Sequence, residues 1–253
     1  VSWIAGPAWT TRTPDVVYGK PGTSPAVGIS IWIATWLPGP EQGGRHPLPT
    51  EAAFTAVLQH LGISPTTPIV VYDDMGGQMA AARAWWMLHC WAGHPGVRLL
   101  DGGLLAWQHE GGEMTQATSD VSPSDWRPNF DDARLVAADT LLSTSDILVD
   151  ARSLERFRGE AEPVDPVAGH IPGAICRPCG ANLTPSGYFK SAEELDDELP
   201  REEHAISYCG SGVTACHNIV AYAIAGRPLP RLYAGSWSHW IRDPQRPVAT
   251  AGG

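Results

Sequence analysis

The sequence predicts an α/β protein built from two similar units, each a mainly parallel sheet flanked by helices. Two stretches share one plan: "TPIVVYDDMGGQMAAARAWWMLHCWAGHPGVRLLDGGLLAW" at 67–107 and "HAISYCGSGVTACHNIVAYAIAGRPLPRLYAGSWSHW" at 204–240. In each, a β-prone apolar run ends in a tyrosine, and a Gly-containing loop and an Ala-rich amphipathic helix follow. Gly93 or Gly226 closes that helix, and a second short strand leads into another helix carrying Trp107 or Trp240. "DILVDAR" at 146–152 adds a buried strand with its charged end at the carboxyl edge of a sheet. Strand–loop–helix–strand, twice over, is the pattern of parallel α/β units.

The remaining elements fit around this repeat. The stretch before residue 50 is rich in turn formers, and only a short strand around 29–33 is expected there. "DARLVAADTLLSTS" at 132–145 reads as an amphipathic helix. The polar, Pro-containing stretch near 114–130 reads as the connection between units. It divides the chain into a domain at 1–118 and a second at 119–253.

A chain of 253 residues with 43% hydrophobic and 17% charged residues has an ordinary globular balance, which excludes wholesale disorder. A net charge of −10 leaves no basic footprint for nucleic acid or an anionic membrane. No apolar run approaches the roughly 18 residues that span a bilayer. The opening "VSWIAGPAW" has neither the charged nor the apolar region of a signal peptide. Five cysteines, an odd number, do not form a disulfide framework, and a cytoplasmic setting is expected. "CRPC" at 176–179 has CxxC spacing without a second metal-ligand pair, so that spacing reads as incidental. No metal or organic cofactor is implied.

Aligning Tyr72 with Tyr208 sets Asp73 opposite Cys209. A position that accepts a carboxylate in one copy reads as a solvent-facing loop mouth, with Asp73 as the non-catalytic counterpart of Cys209. After Cys209 come Gly210, Ser211, Gly212, Val213 and Thr214, and then a helix. Small residues let successive N–H groups curl toward one point, where the helix N-terminus adds positive potential. Such a cradle stabilises an anionic sulfur, either a thiolate nucleophile or a persulfide carrying a transferred sulfur. A Cys-dependent phosphatase shares the geometry but needs an arginine six positions on, where this chain has Ala215. A cysteine hydrolase would need a base such as His170 or His217, both of which read as structural. A further alternative is a weak sulfur-carrier or redox-sensing module.

"CGSGVTAC", "LVDARSLERFRGEAEPVDPVAGHIPGA" and "LYAGSWSHW" resemble the two-domain rhodanese-type sulfurtransferases, the thiosulfate and 3-mercaptopyruvate group. The resemblance extends over 41–112 through "GPEQGGRHPLP", "VVYDD" and "RAWWMLHCWAGHPGVRLLDGGLLAW". It implies two tandem rhodanese-like domains, with a catalytic cysteine only in the second. By similarity, Cys209 forms the persulfide, Gly210 to Thr214 cradle it, Arg156 holds a small anionic donor, and Trp237 walls the pocket. Asp150 and Arg152 match an architectural pair at a strand end. The implied acceptor is a thiol, thioredoxin or cyanide. Gly-Ser after the cysteine goes with mercaptopyruvate in such proteins, and Arg-Lys with thiosulfate. Ser211 in relatives acts with a histidine and an aspartate of the first domain. Here "GTSPAVGIS" replaces the turn that would bring that histidine, so the relay is not expected to carry over. "EAEPVDPV" lacks the second arginine usual in mercaptopyruvate enzymes, and the donor stays open between the two.

Overall fold

The computed structural model describes residues 43–112 and 121–251, together with the backbone strands β1 (Thr10–Thr13) and β2 (Val16–Tyr18). The chain forms two compact units. The first contains the described parts of 49–132, the segment 183–189, and β1 and β2. The second contains 43–48, 133–182 and 190–251.

In the first unit the sheet order is β1-β2-β4-β3, with β3 at Ile69–Val71 and β4 at Val97–Leu100. β2 and β3 both run parallel to β4, and β1 closes the edge antiparallel to β2. Helix α1 (Glu51–His60) starts where the Thr50 hydroxyl accepts the Ala53 N–H. Helix α2 (Ala80–Trp85) joins β3 to β4, and its continuation Trp86–Trp91 widens to π spacing. All six residues of α2 are buried, four alanines, Trp85 and the charged Arg83 among them, so the helix has no solvent-facing side. Helix α3 (Gly103–His109) then lays Trp107 against Val70, Tyr72 and Leu100.

The second sheet runs β6-β5-β7-β8 and is parallel throughout: β5 Ile147–Asp150, β6 Ile175–Cys176, β7 Ala205–Tyr208 and β8 Arg231–Leu232. Its helices are α4 (Leu154–Arg158), α5 (Ala192–Glu198), α6 (Ala215–Ile224) and α7 (Ser236–Trp240). A Ser191–Glu194 capping box opens α5. Leu148, Ile206, Tyr208, Tyr233, Trp237 and Trp240 form the heart of the core. β7 is an inner strand, so the residue after Tyr208 emerges at the middle of the carboxyl edge, where parallel sheets place their ligands.

The repeat appears as predicted, strand for strand and helix for helix, and Gly93 and Gly226 both end their helices at φ near +70°. The reading of 132–145 as an amphipathic helix is corrected. Only short 3₁₀ turns form, at Asp132–Arg134 and Ala138–Thr140, because Leu135 bridges in parallel to Leu232 and the Val136 N–H donates to the Leu232 carbonyl at 3.0 Å. The sheet edge takes the backbone that a helix would have used, while Val136, Ala138 and Leu141 still bury their side chains. The described part of the expected connection, 121–130, packs onto the first unit. Ser124 N–H donates to the Gln59 carbonyl at 2.9 Å, and Phe130 lies on Trp91 with ring centroids 4.5 Å apart. Residues 113–120 and the strand expected around 29–33 lie outside the described residues.

His94 links this fold to pH. Its buried ring donates from Nε2 to the Ser64 carbonyl at 2.8 Å and accepts the Gly96 N–H on Nδ1 at 3.1 Å, an arrangement open only to neutral imidazole. Burial lowers its pKa below the ordinary 6.5. The unfolded chain therefore binds a proton that the folded chain resists. The stabilisation is complete above pH 6.5 and is lost as pH falls from there toward the folded value. Denaturant melts between pH 7.5 and 5.5 are expected to show stability falling by up to about 1.4 kcal/mol per pH unit from this group, with a shallower slope in His94→Gln.

Candidate active site

Cys209 stands just beyond β7, and only 2% of it is exposed. The Gly212 N–H donates to its Sγ at 3.1 Å. Gly212 has φ of +77°, a conformation strained for any residue with a Cβ, and this turn brings its N–H back over the sulfur. The loop ends at Thr214 and α6 begins at Ala215, aiming the positive end of a ten-residue helix at the same place.

The first turn of α7 grips this loop from the other side. Cys209 N–H donates to Ser236 Oγ at 3.1 Å, and the Ser236 hydroxyl donates on to the Tyr233 carbonyl. The N–H groups of Trp237 and Ser238 donate to the carbonyls of Cys209 and Gly210, each at 2.9 Å. Ser236 adopts φ of +54°, alone among the described non-glycine residues in that region, and its strain is held by these bonds.

The first unit carries the same loop with a different occupant. The Asp73 carboxylate accepts four backbone N–H groups, from Met75 and Gly77 on Oδ1 and from Met79 and Ala81 on Oδ2, at 2.7–3.2 Å. The expectation that this position faces solvent is corrected, since Asp73 is 8% exposed and Cys209 even less. A carboxylate is tolerated there because the cradle solvates it. The two loops are anion cradles, one filled by an oxygen anion and the other offering a sulfur.

Around Cys209 runs a chain of alternating charge. Arg152 pairs with Asp150, both fully buried, at 2.7 Å. Arg152 also reaches Glu162, which takes the Arg156 guanidinium at 2.8 Å. Burial opposes the Glu162 charge, yet Arg156 and the N–H groups of Asp165 and Val164 hold its pKa below the usual carboxylate value. Arg156 continues to Asp165 at 3.1 Å, and the other Asp165 oxygen binds Arg45. A Cβ built on Gly210 would stand 3.0 Å from Arg45 Nη2 and 3.5 and 3.6 Å from the terminal nitrogens of Arg156, so both guanidinia flank the residue after Cys209.

Ser211 is buried in the loop, and its Oγ lies 2.7 Å from His46 Nδ1. The expectation that no histidine reaches this serine is overturned: His46 belongs to the short segment 43–48 that folds with the second unit. Gly44 makes this possible. It sits at φ of +90°, and a Cβ there would come within 2.5 Å of the Gly235 carbonyl. Arg45 N–H then donates to Ser238 Oγ at 2.9 Å. Arg45 and His46 were visible only as a basic pair in the glycine- and proline-rich "GGRHPLP", and Ser236 as one small residue among several.

Trp237 does not line an open pocket. It is fully buried, with its indole N–H on the Val167 carbonyl and its ring 4.7 Å from the Arg152 guanidinium, so it supports the charge chain from within the core. Val213 is buried, and Thr214 is the last loop residue before α6. Burial pushes Cys176 up to about 12 and Cys179 up to about 11, so both stay protonated at neutral pH. Among the described residues no group of three or more His, Cys, Asp or Glu side chains is arranged to hold a metal. His170 stacks on Phe157 and bonds its carbonyl, and His217 is wholly buried beside Asn182.

The model of the rhodanese-like domain matches residues 30–110 and 136–243. The chain belongs to the rhodanese family. This rhodanese is 49% identical to a probable 3-mercaptopyruvate sulfurtransferase of Pseudomonas aeruginosa over 82% of its length and 76% of the relative. It is 43% identical to a putative thiosulfate sulfurtransferase, SseB, of Mycobacterium tuberculosis over 81% of its length and 75% of the relative. Its structure resembles that of SseA from Escherichia coli, a 3-mercaptopyruvate sulfotransferase with the rhodanese fold, at a TM-score of 0.65 and 31% identity, covering 76% of this chain and 74% of that one.

Two substitutions test the cradles. Gly212→Ala keeps the N–H but strains its φ of +77°, and is expected to slow alkylation of Cys209 by iodoacetamide roughly tenfold as the N–H turns away from Sγ, and to cost about 1–2 kcal/mol in chemical denaturation. Asp73→Ala removes the acceptor of four N–H groups, those of Gly77 and Ala81 in buried bonds, and is expected to destabilise the first unit by about 3 kcal/mol, with Asp73→Asn losing less.

Proposed function

We propose that this chain is a sulfurtransferase that moves a sulfane sulfur from 3-mercaptopyruvate or thiosulfate to a thiol, thioredoxin or cyanide through a Cys209 persulfide. The Gly212 N–H on Cys209 Sγ at 3.1 Å carries this reading, because it marks the sulfur as the site where negative charge is received. The Cys209 thiolate attacks the donor's outer sulfur and a Cys209 S–S bond forms. With mercaptopyruvate the carbon–sulfur bond breaks and pyruvate leaves as its enolate, which takes up a proton. With thiosulfate the sulfur–sulfur bond breaks and sulfite leaves. An acceptor thiolate or cyanide then takes the outer sulfur, and Cys209 is regenerated.

Arg156 holds the donor's anionic group at the loop, backed by Glu162 and Asp165. Ser211, hydrogen-bonded to His46, supplies the proton that the enolate requires. Gly210 to Thr214 form the persulfide cradle, and Trp237 positions Arg152 behind the clamp. The unit formed by 43–48, 133–182 and 190–251 is the catalytic one and the unit carrying Asp73 its non-catalytic counterpart, so the boundary lies near 132 and not at the expected 118. A cytoplasmic setting suits five cysteines that are all free thiols, and no helix among the described residues is long and apolar enough to cross a membrane.

Intact-mass and peptide spectra after incubation with each donor are expected to show a gain of about 32 Da, one sulfur atom, on Cys209. Absence of the adduct with both donors would refute the proposal.

A further inference from the structure

We infer that Arg45 is a donor-specificity residue, which together with Arg156 forms a two-guanidinium subsite for the carboxylate of a short α-keto acid donor. The inference rests on the sulfurtransferase reading and assigns the part of the donor distant from its sulfur.

The geometry starts at Gly210. The missing side chain leaves a space bordered by Arg45 Nη2 at 3.0 Å and by Arg156 Nη2 and Nη1 at 3.5 and 3.6 Å from the position a Cβ would take. Arg45 Nη1 and Arg156 Nη2 are both committed to Asp165, on separate oxygens. Arg45 Nη2 and Arg156 Nη1 have no hydrogen-bond partner among the described residues. The two donors left over from one bridging carboxylate therefore border the same small space.

Both arginines are held there. Asp165, with 4% of its side chain exposed, locks the pair together, while Glu162 takes Nε and Nη2 of Arg156 in a two-pronged contact. Arg45 is pinned through its backbone to Ser238, and Gly44 before it receives an Arg242 N–H on its carbonyl. A guanidinium fixed before the ligand arrives loses little freedom on binding, and a planar fork suits the two oxygens of a carboxylate. Arg45 retains 32% side-chain exposure, so a ligand can reach it from solvent.

The spacing selects the donor. Gly210 is one residue beyond the nucleophile, and neighbouring Cα atoms are about 3.8 Å apart. In 3-mercaptopyruvate the sulfur and the carboxylate carbon are separated by a methylene and a carbonyl carbon, which spans a similar length. In thiosulfate the anionic oxygens sit on the atom next to the outer sulfur, so with that sulfur at Cys209 they reach Arg156 more readily than Arg45. Arg45 thus favours the carboxylate donor.

The experiment is steady-state kinetics with both donors on the wild type, Arg45→Ala and Arg45→Lys, with thermal melts to establish folding. Arg45→Ala is expected to raise KM for mercaptopyruvate roughly 10- to 100-fold, the value of a charge-assisted hydrogen bond or two, with kcat changed little. The kcat/KM for thiosulfate is expected to move less than about threefold. Arg45→Lys keeps the charge without the fork and falls between the two, and it provides the reading if the alanine variant does not fold. An unchanged KM for mercaptopyruvate, or an equal loss with both donors, overturns the inference. Calorimetric titration with pyruvate reads the subsite without turnover: weaker binding in Arg45→Lys supports it and unchanged binding overturns it. A wild type that binds pyruvate through Arg45 but never forms a persulfide would sink the sulfurtransferase reading and leave this subsite standing.

Discussion

The buried ion pair between Asp150 and Arg152 is the point from which the rest of the site is built. Neither charge could remain in the core alone; removing one partner of such a pair costs about 3–5 kcal/mol because the other is left unpaired. Asp150 ends a strand, so its position is fixed by the sheet, and Arg152 inherits that precision through three hydrogen bonds. Each next charge is placed by the one before it: Glu162 by Arg152, Arg156 by Glu162, Asp165 by Arg156, Arg45 by Asp165. Along this series burial gives way to partial exposure, from an arginine that is 1% exposed to one that is 32% exposed. The sheet thereby transmits a fixed geometry to a surface where a loop alone could not hold two cations together.

The two cradles show how one backbone device serves opposite ends. Around Asp73 the N–H groups are fully used by the chain's own carboxylate, and the loop is a structural knot. Around Cys209 the occupant is a softer atom that can gain and lose a partner. Both loops are built the same way, from a short strand, a tight turn and a helix start. What separates them is whether the anion is permanent.

Much of this could be read in the sequence, and the reasons for the remainder are physical. The duplicated strand–loop–helix plan was legible because apolar periodicity and closing glycines are local signals. Cys209 stood out by residue type and by its place between a strand and a Gly-rich loop, and Arg156 through the resemblance to the rhodanese-type sulfurtransferases. The stretch 132–145 was misread because its apolar spacing fits a helix, and only the distant Leu232 carbonyl decides that it pairs with a sheet edge. Arg45 and His46 were missed because their partners lie 120 and 165 residues away, and no local pattern records such a meeting. Asp73 was assigned to the right loop but to the wrong surroundings: sequence shows that a carboxylate is tolerated, not whether water or backbone solvates it.

The grip of α7 on the loop has a consequence for the order in which the protein matures. Ser236, Trp237 and Ser238 are synthesised after Cys209, and they hold its backbone N–H, its carbonyl and that of Gly210. A chain still emerging from the ribosome would carry the thiol before it carried the turn that seats it. The backbone around Cys209 is thus fully seated only in a chain that extends through Ser238.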